Sequence, residues 1–295
     1  MIAPFYAPRS MRAPARPAAA RVRPARAPEL RAAISVLRSA GLGTNVGRLL
    51  DYPMTSPQGD VLVALDGDAV VGGAAVARFG ATGWIGALGV TSSARRRGVG
   101  GALTEGAVSW LRERGAETVL LYATVAGRPV YERAGFVAEG EAHAWRDLAP
   151  PPARGALPDG VRPLQTGDLA AVRALDTAAT GEDRGSVFAQ LGPGAPGFVA
   201  ERGGALAASA VRSPWGLGPS VVAANGDAAL SLLSALRRAP GSPLTLSLPD
   251  ANLPAVQALR DWGFQPINAA TRMRLGPAPA YDPRHVFGMF NLFWG

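Results

Sequence analysis

The segment Arg95-Arg96-Arg97-Gly98-Val99-Gly100-Gly101 carries the residue types best suited to chemistry in this sequence. Glycines at 98, 100 and 101 let backbone approach a ligand with no Cβ in the way. They stand where a strand, residues 84–90, and four linker residues give way to a helix. Val99, Leu103, Ala107, Trp110 and Leu111 recur there at helical spacing. The first N–H groups of a helix lack partners and its dipole makes that end positive, so the segment reads as a phosphate site. Three arginines add charge-assisted donors, and a pyrophosphate is the natural guest. Two other readings stand beside this one. A glycine-rich turn could serve tight packing alone. A dinucleotide fold also puts glycines at a helix start, but it wants G-x-G-x-x-G, and here Leu103 holds the third glycine position.

Composition closes several other chemistries. The chain of 295 residues has no cysteine, which excludes disulfides, thiolate nucleophiles and cysteine-based zinc sites. His143 and His285 are its two histidines, so a multi-histidine metal site is excluded and no metal is expected. All 30 basic residues are arginine, which removes a Walker-type phosphate loop and any Schiff-base lysine. The joint abundance of Ala, Arg, Gly and Pro points to a GC-rich, bacterial source. No apolar run approaches the about 20 residues of a membrane span. No apolar signal segment opens the chain, so a cytoplasmic protein without a membrane partner is expected. The net charge is +8, but residues 1–32 hold seven arginines against Glu29, which is +6 of it. A basic tail on a near-neutral body is not a basic binding face, and this counts against a nucleic-acid partner.

The elements that must position the loop follow from periodicity. Residues 1–20 are rich in Arg, Pro and Ala and read as a disordered leader, with Met11 a second candidate start. A stiff linker at 148–160 contains Pro150-Pro151-Pro152. It divides the chain into domains at 21–147 and 161–295. In the first, a short strand opens at Val22, helices cover 28–40 and reach Leu50, and strands cover 61–65, 69–77 and 83–90. The helix 98–114, a strand at 119–123, a short helix at 127–134 and a strand from Phe136 complete it. The second repeats this order, with helices near 167–177, 182–191 and 226–237 and strands near 197–201, 205–212 and 244–248. Tyr131-Glu132-Arg133-Ala134-Gly135-Phe136 aligns with Leu259-Arg260-Asp261-Trp262-Gly263-Phe264, so the chain reads as an internal duplication.

Arg95-x-x-Gly98-x-Gly100 after a strand ending in Val90, with Val130-Tyr131-Glu132-Arg133-Ala134-Gly135-Phe136 about thirty residues on, resembles the GCN5-related N-acetyltransferases. Trp84-Ile85-Gly86 and residues 123–133 are similar to a bacterial two-domain subgroup, in which a divergent second acetyltransferase-like domain follows. Gly181-Glu182-Asp183-Arg184 and Gly218-Pro219 resemble that second domain. The resemblance implies an α/β (α+β) fold of tandem domains, each a twisted, mixed, mostly antiparallel sheet flanked by helices. It implies acetyl-CoA as cosubstrate and a primary amine as acceptor, attacked directly in a ternary complex. Backbone N–H groups among Leu88, Gly89 and Val90 would hold pantetheine and the thioester oxygen. The run Arg95, Arg96, Arg97, Gly98, Val99, Gly100 and Gly101 would hold the pyrophosphate. Tyr131 would be the general acid, since a phenol can return a proton to a thiolate of similar basicity. Two departures affect the pantetheine contacts: Thr124 stands where many members have Asn, and Gly127 where many have Ala.

The acceptor's proton needs a base, and Asp51, Glu105 and His143 are the candidates, with no spacing that selects among them. His285 lies in an apolar tail and reads as packing. The second domain reads as degenerate. Residues 221–227 lack the arginine-glycine pattern, and Leu259 replaces the tyrosine. Such a domain would form a wall of the substrate cleft or a homodimer surface. Two other functions compete with transfer: a non-catalytic acyl-CoA-binding regulatory module, and a nucleic-acid-associated protein using the arginine tail.

Overall fold

The computed structural model describes residues 20–149, 155–192, 194, 196–239 and 243–295. Residues 1–19 of the expected leader and 150–154 of the expected linker lie outside the described residues. The first half contains β1 (Arg21–Pro24), α1 (Leu30–Leu37), α2 (Val46–Leu49), α3 (Asp51–Thr55), β2 (Gly59–Asp66), β3 (Ala69–Phe79), β4 (Thr82–Val90), α4 (Val99–Arg112), β5 (Thr118–Ala123), α5 (Arg128–Arg133) and β6 (Val137–Asp147). The second contains β7 (Val161–Pro163), α6 (Leu169–Thr180), α7 (Gly185–Leu191), β8 (Gly197–Arg202), β9 (Ala205–Val211), β10 (Ser220–Ala223), α8 (Gly226–Arg238), β11 (Thr245–Pro249), α9 (Leu253–Asp261) and β12 (Phe264–Leu275). A last short strand, β13 (Val286–Gly288), has no counterpart in the first half.

Local chemistry accounts for most of these boundaries. Helix α1 turns Ala33, Val36 and Leu37 inward. The β2–β3 hairpin turns at Gly67, whose φ of 62° suits a residue without Cβ. The duplication is visible in backbone geometry. Gly135 and Gly263 close α5 and α9 with φ of 88° and 83°, and each is followed by a buried phenylalanine, Phe136 or Phe264.

The two halves do not form separate sheets, which differs from the expectation of one sheet per domain. Eight strands run in the order β1-β2-β3-β4-β5-β12-β6-β11, and five in the order β13-β10-β9-β8-β7. Strand β12 of the second half lies between β5 and β6 of the first. Strand β6 in turn pairs with β11 of the second half. The second half thus adds β11 and β12 to the eight-stranded sheet, and the last long strands of the two halves interleave there. The side chains follow the strands. Met273 on β12 is buried with Tyr131 and Phe136, whereas Trp145 on β6 is buried with Leu246, Leu259 and Phe264. Strand β13 sits beside β10, and Met289 just past it donates its N–H to the Ser247 carbonyl on β11 at 2.6 Å. The two sheets therefore meet through this short strand.

The closing segment then returns to the first half. Phe290 and Trp294 share a core with Tyr52, Phe79 and Trp84, together with Val187 and Trp215 of the second half. The Trp294 Nε1–H donates to the Leu49 carbonyl at 3.2 Å. A Cβ at Gly86 would fall 2.3 Å from the Trp294 ring, so β4 needs glycine at that point.

Candidate active site

Strands β4 and β5 are the parallel pair of the large sheet. Their pairing runs from Thr82–Thr118 to Ile85–Leu121 and then stops, while β4 continues to Val90 against β3. Gly86 is the extra residue of a bulge in β4, where the register to β3 shifts between Ala75 and Val76. A bulge bends its strand and increases the local twist. The edge of residues 86–90 that faces β5 is therefore unpaired, and Leu88, Gly89 and Val90 all lie on it. Beyond Ile85 the two strands thus fork apart.

Past the fork, Arg95, Arg96, Arg97 and Gly98 are exposed. Arg96 has φ of 60° and is the one non-glycine residue in the left-handed region among the described residues. Gly98, with φ of 84°, is the N-cap of α4 and supplies no side-chain acceptor to its first N–H groups. Two left-handed positions so close together curl the backbone into a concave turn in front of an uncapped helix end, a geometry suited to an anion. A Cβ added at Gly98 or Gly101 would meet nothing within 4 Å. The space over the loop is open rather than packed, which disfavours the tight-packing reading and leaves room for the pyrophosphate of a CoA thioester. Val99 is buried and anchors the helix instead. Arg97 is partly engaged, donating to Asp66 at 3.0 Å.

Tyr131 lies on α5 and is 8% exposed. Its ring packs edge-on to Phe136 at 5.9 Å. Burial pushes its phenol up to about 12. Among the described residues its hydroxyl makes no hydrogen bond within the protein. Thr124 is exposed, and its hydroxyl accepts from the Gly127 N–H at 3.2 Å, so it helps to start α5. A Cβ at Gly127 would lie 3.4 Å from the Tyr131 ring, an ordinary van der Waals contact.

The second half lacks each of these features. Its helix α8 is capped by the Asn225 side chain, which accepts from the Ala228 N–H at 2.9 Å. That occupies one of the donors an anion would use. The gap between β10 and β11 is filled by β13. Leu259, at the tyrosine position, is fully buried.

The candidate bases scatter. Asp51 and Glu105 are exposed at the start of α3 and on α4. His143 on β6 pairs with Asp250 at 2.7 Å. His285 contacts the Ala223 carbonyl through Nδ1 at 2.6 Å. None of these side chains lines the pocket that the structure does form beside the fork.

That pocket, between the halves, is small: about 20 Å³, room for about one water molecule. Trp84, Tyr122, Glu182, Arg272, Tyr281 and Met289 line it. Glu182 is 3% exposed and accepts from the Trp84 Nε1–H at 2.8 Å. Burial pushes its carboxyl up to about 7, and the nearby Arg184 and Arg272 offset this only in part. Sequence reasoning did not single out these residues as a site. Gly181-Glu182-Asp183-Arg184 carries only a resemblance to the second domain, and no local pattern says that the glutamate is inserted against a tryptophan 98 residues away. Among the described residues no group of three or more His, Asp or Glu side chains could hold a metal ion. No helix among them is long and apolar enough to cross a membrane.

Two sequence profiles match the chain: the Acetyltransferase (GNAT) family over residues 37–136 and the Acetyltransferase (GNAT) domain over residues 172–288. Among proteins of curated function, none matches significantly. Several solved structures share the fold. A protein from Pyrococcus horikoshii classed as an acetyltransferase is 21% identical, with a TM-score of 0.79, over 94% of this chain and 96% of that one. A GCN5-related N-acetyltransferase from Sphaerobacter thermophilus is 16% identical, with a TM-score of 0.62, over 88% and 98%. A tandem GNAT protein from the clavulanic acid biosynthesis pathway is 18% identical, with a TM-score of 0.59, over 88% and 99%.

Proposed function

We propose that this chain, which belongs to the GCN5-related N-acetyltransferase superfamily with two such domains in tandem, transfers acetyl from acetyl-CoA to a primary amine at one centre, in its first half. The observation that carries this reading is the asymmetry of the repeat. One copy has an open fork, an uncapped helix end behind a left-handed loop, and a tyrosine. The other has a filled fork, a capped helix and a leucine.

Acetyl-CoA supplies the activated acetyl thioester. The loop 95–101 holds its pyrophosphate through backbone N–H groups and arginine charge. The unpaired edge of residues 88–90 orients the pantetheine arm and offers N–H donors where negative charge develops on the thioester oxygen. Thr124 lies at the mouth of the same fork. Tyr131 keeps its proton at Oη across the neutral range, because burial disfavours the phenolate, and so has a proton to give to the departing sulfur. The protein holds both reactants together, which alone can supply a large share of the rate. The second half serves as a wall of the acceptor cleft.

A thiol-release assay with acetyl-CoA across a broad amine panel tests this reading. Turnover on one amine, reduced about tenfold or more in Tyr131→Phe, is the expected result. Acetyl-CoA binding without turnover on any amine would instead support a non-catalytic acyl-CoA module.

A further inference from the structure

The fork between β4 and β5 has a direction. The loop 95–101 stands at its open end, the unpaired edge of residues 88–90 runs inward, and the last pair, Ile85 with Leu121, closes its base. A CoA thioester with its pyrophosphate on the loop and its pantetheine arm along the edge would bring its acyl group to that base. Gly86 is the first residue of β4 beyond the last pair. What stands around Gly86 therefore sets the room left for an acyl chain.

Both faces of the sheet are closed at this point. On one, Ile85 is buried with Leu121, Ala123 and Tyr131. On the other, Trp294 is buried with Trp84 and Ala87. A Cβ at Gly86 would fall 2.3, 2.4 and 2.6 Å from three carbons of the Trp294 six-membered ring. The indole thus presses on bare backbone at the base of the fork. A glycine inside a strand weakens it and often marks a close approach. The same core could be filled by a larger residue at 86 and a smaller one at 294. The arrangement found places the bulk on the closing segment instead.

Trp294 is held there from both halves. Its Nε1–H donates to the Leu49 carbonyl of the first half. Its own segment is fixed to the second half, where the Phe290 carbonyl accepts from the Leu217 N–H at 2.7 Å and Arg184 donates to the Gly295 carbonyl at 3.0 Å. Between these points the Asn291 Oδ1 accepts from the N–H groups of Phe293 and Trp294, at 2.7 and 3.0 Å. Swinging the ring aside would break this set, so the wall is preorganised.

We propose that Trp294 limits the acyl chain that the fork accepts. Its ring stops the chain close beyond the acetyl methyl group, so that acetyl-CoA is admitted and butyryl-CoA is not. The proposal rests on the fork being the CoA thioester site. It gives the second half a part in selecting the donor. Shortening Trp294 would leave an apolar space among Tyr52, Trp84 and Phe290, which share its core. Apolar cavities of this kind stay dry and take up apolar groups, and a butyryl chain is such a group.

Calorimetric titration of the full chain with CoA, acetyl-CoA, propionyl-CoA and butyryl-CoA tests this without requiring turnover. In the wild type, butyryl-CoA should bind about tenfold or more weakly than acetyl-CoA, with propionyl-CoA between them, because a misfitting methylene in an apolar site is worth about tenfold or more. In Trp294→Ala the ratio of the two affinities should move toward butyryl-CoA by about tenfold. Trp294→Leu keeps an apolar side chain in the core and should move the ratio the same way by less; it decides where the alanine variant does not fold. Phe79→Leu loosens the same core at the Thr82 end of β4, away from Gly86, and should leave the ratio as it was. Equal binding of acetyl-CoA and butyryl-CoA by the wild type, or an unchanged ratio in a folded Trp294 variant, would overturn the proposal. So would a shift in Phe79→Leu as large as in Trp294→Leu. Failure of CoA itself to bind would overturn the cofactor reading and this one with it, whereas loss of chain-length selectivity with CoA still bound overturns this one alone.

Discussion

At the scale of single residues, the centre divides its work between groups that hold a proton and groups that hold a shape. Tyr131→Phe removes the proton while keeping the ring against Phe136. It should lower kcat with little change in the KM for acetyl-CoA, and an equal loss in binding would make the tyrosine a packing residue only. Gly98→Ala keeps the helix but puts a Cβ at φ of 84°, which costs about 1–2 kcal/mol in the left-handed region. Calorimetry with acetyl-CoA should show about tenfold weaker binding, the equivalent of 1.4 kcal/mol. Unaltered affinity would mean that the loop does not need this conformation to bind. Glu182 gives a pH signature. Its carboxyl binds a proton more tightly folded, at about 7, than at its ordinary value of 4.5. Its contribution is then full below about 4.5 and is lost as pH rises through about 7. Arg184 and Arg272 line the same space and Asp176 lies nearby, and all three bias this titration. Melting temperatures of the wild type should fall over that interval relative to Glu182→Gln, and parallel curves would mean that the carboxylate is solvated. The loop and Tyr131 were legible in the sequence because their spacing is local and their chemistry distinctive. The buried contact of Glu182 with Trp84 was not, because it joins distant segments.

At the scale of elements, glycines in β4 record what lies against the strand. Gly86 is the bulge residue, and the Trp294 ring occupies the position its side chain would take. Gly86→Ala must move either the strand or the indole, and overpacking of this kind costs about 1–3 kcal/mol. The loss should shrink in a Gly86→Ala, Trp294→Leu double variant, a coupling that a double-mutant cycle on denaturant midpoints would measure. Additive losses would separate the two residues. Most strands and helices of both halves were readable from periodicity, including the hairpin at 66–68 and helix α4. What periodicity cannot report is the partner of a strand. Residues 264–275 show no clean alternation, so periodicity names no strand there, and nothing local says that β5, some 150 residues earlier, is their partner. Strand β13 has three residues, too few for a pattern, and its role in filling the second fork depends wholly on where the chain returns.

At the scale of the whole molecule, the interleaving of β6 and β12 makes the tandem repeat one cooperative body. The buried Asp176–Arg184 pair reinforces it, because Arg184 also donates to the Gly295 carbonyl at 3.0 Å and so ties α6 to the returning segment. Asp176→Ala strands a buried guanidinium and should cost about 3–5 kcal/mol. The interleaving itself predicts more. A first half of residues 20–149 would leave β5 with an open edge, deprive β6 of both neighbours and remove Met273 from the core around Tyr131 and Phe136. A second half of residues 155–295 would leave β11 and β12 without β6 between them. Open edges of this length template aggregation. Expressed separately, each half should be insoluble or self-associated. Expressed together, they should form a one-to-one complex that binds acetyl-CoA. A first half that is instead a soluble monomer with dispersed amide resonances would have to seat its own β6 beside β5. That rearrangement would also withdraw Arg272 from the face of the fork. Acetyl-CoA binding by such a fragment would show that the cofactor loop folds without the second half.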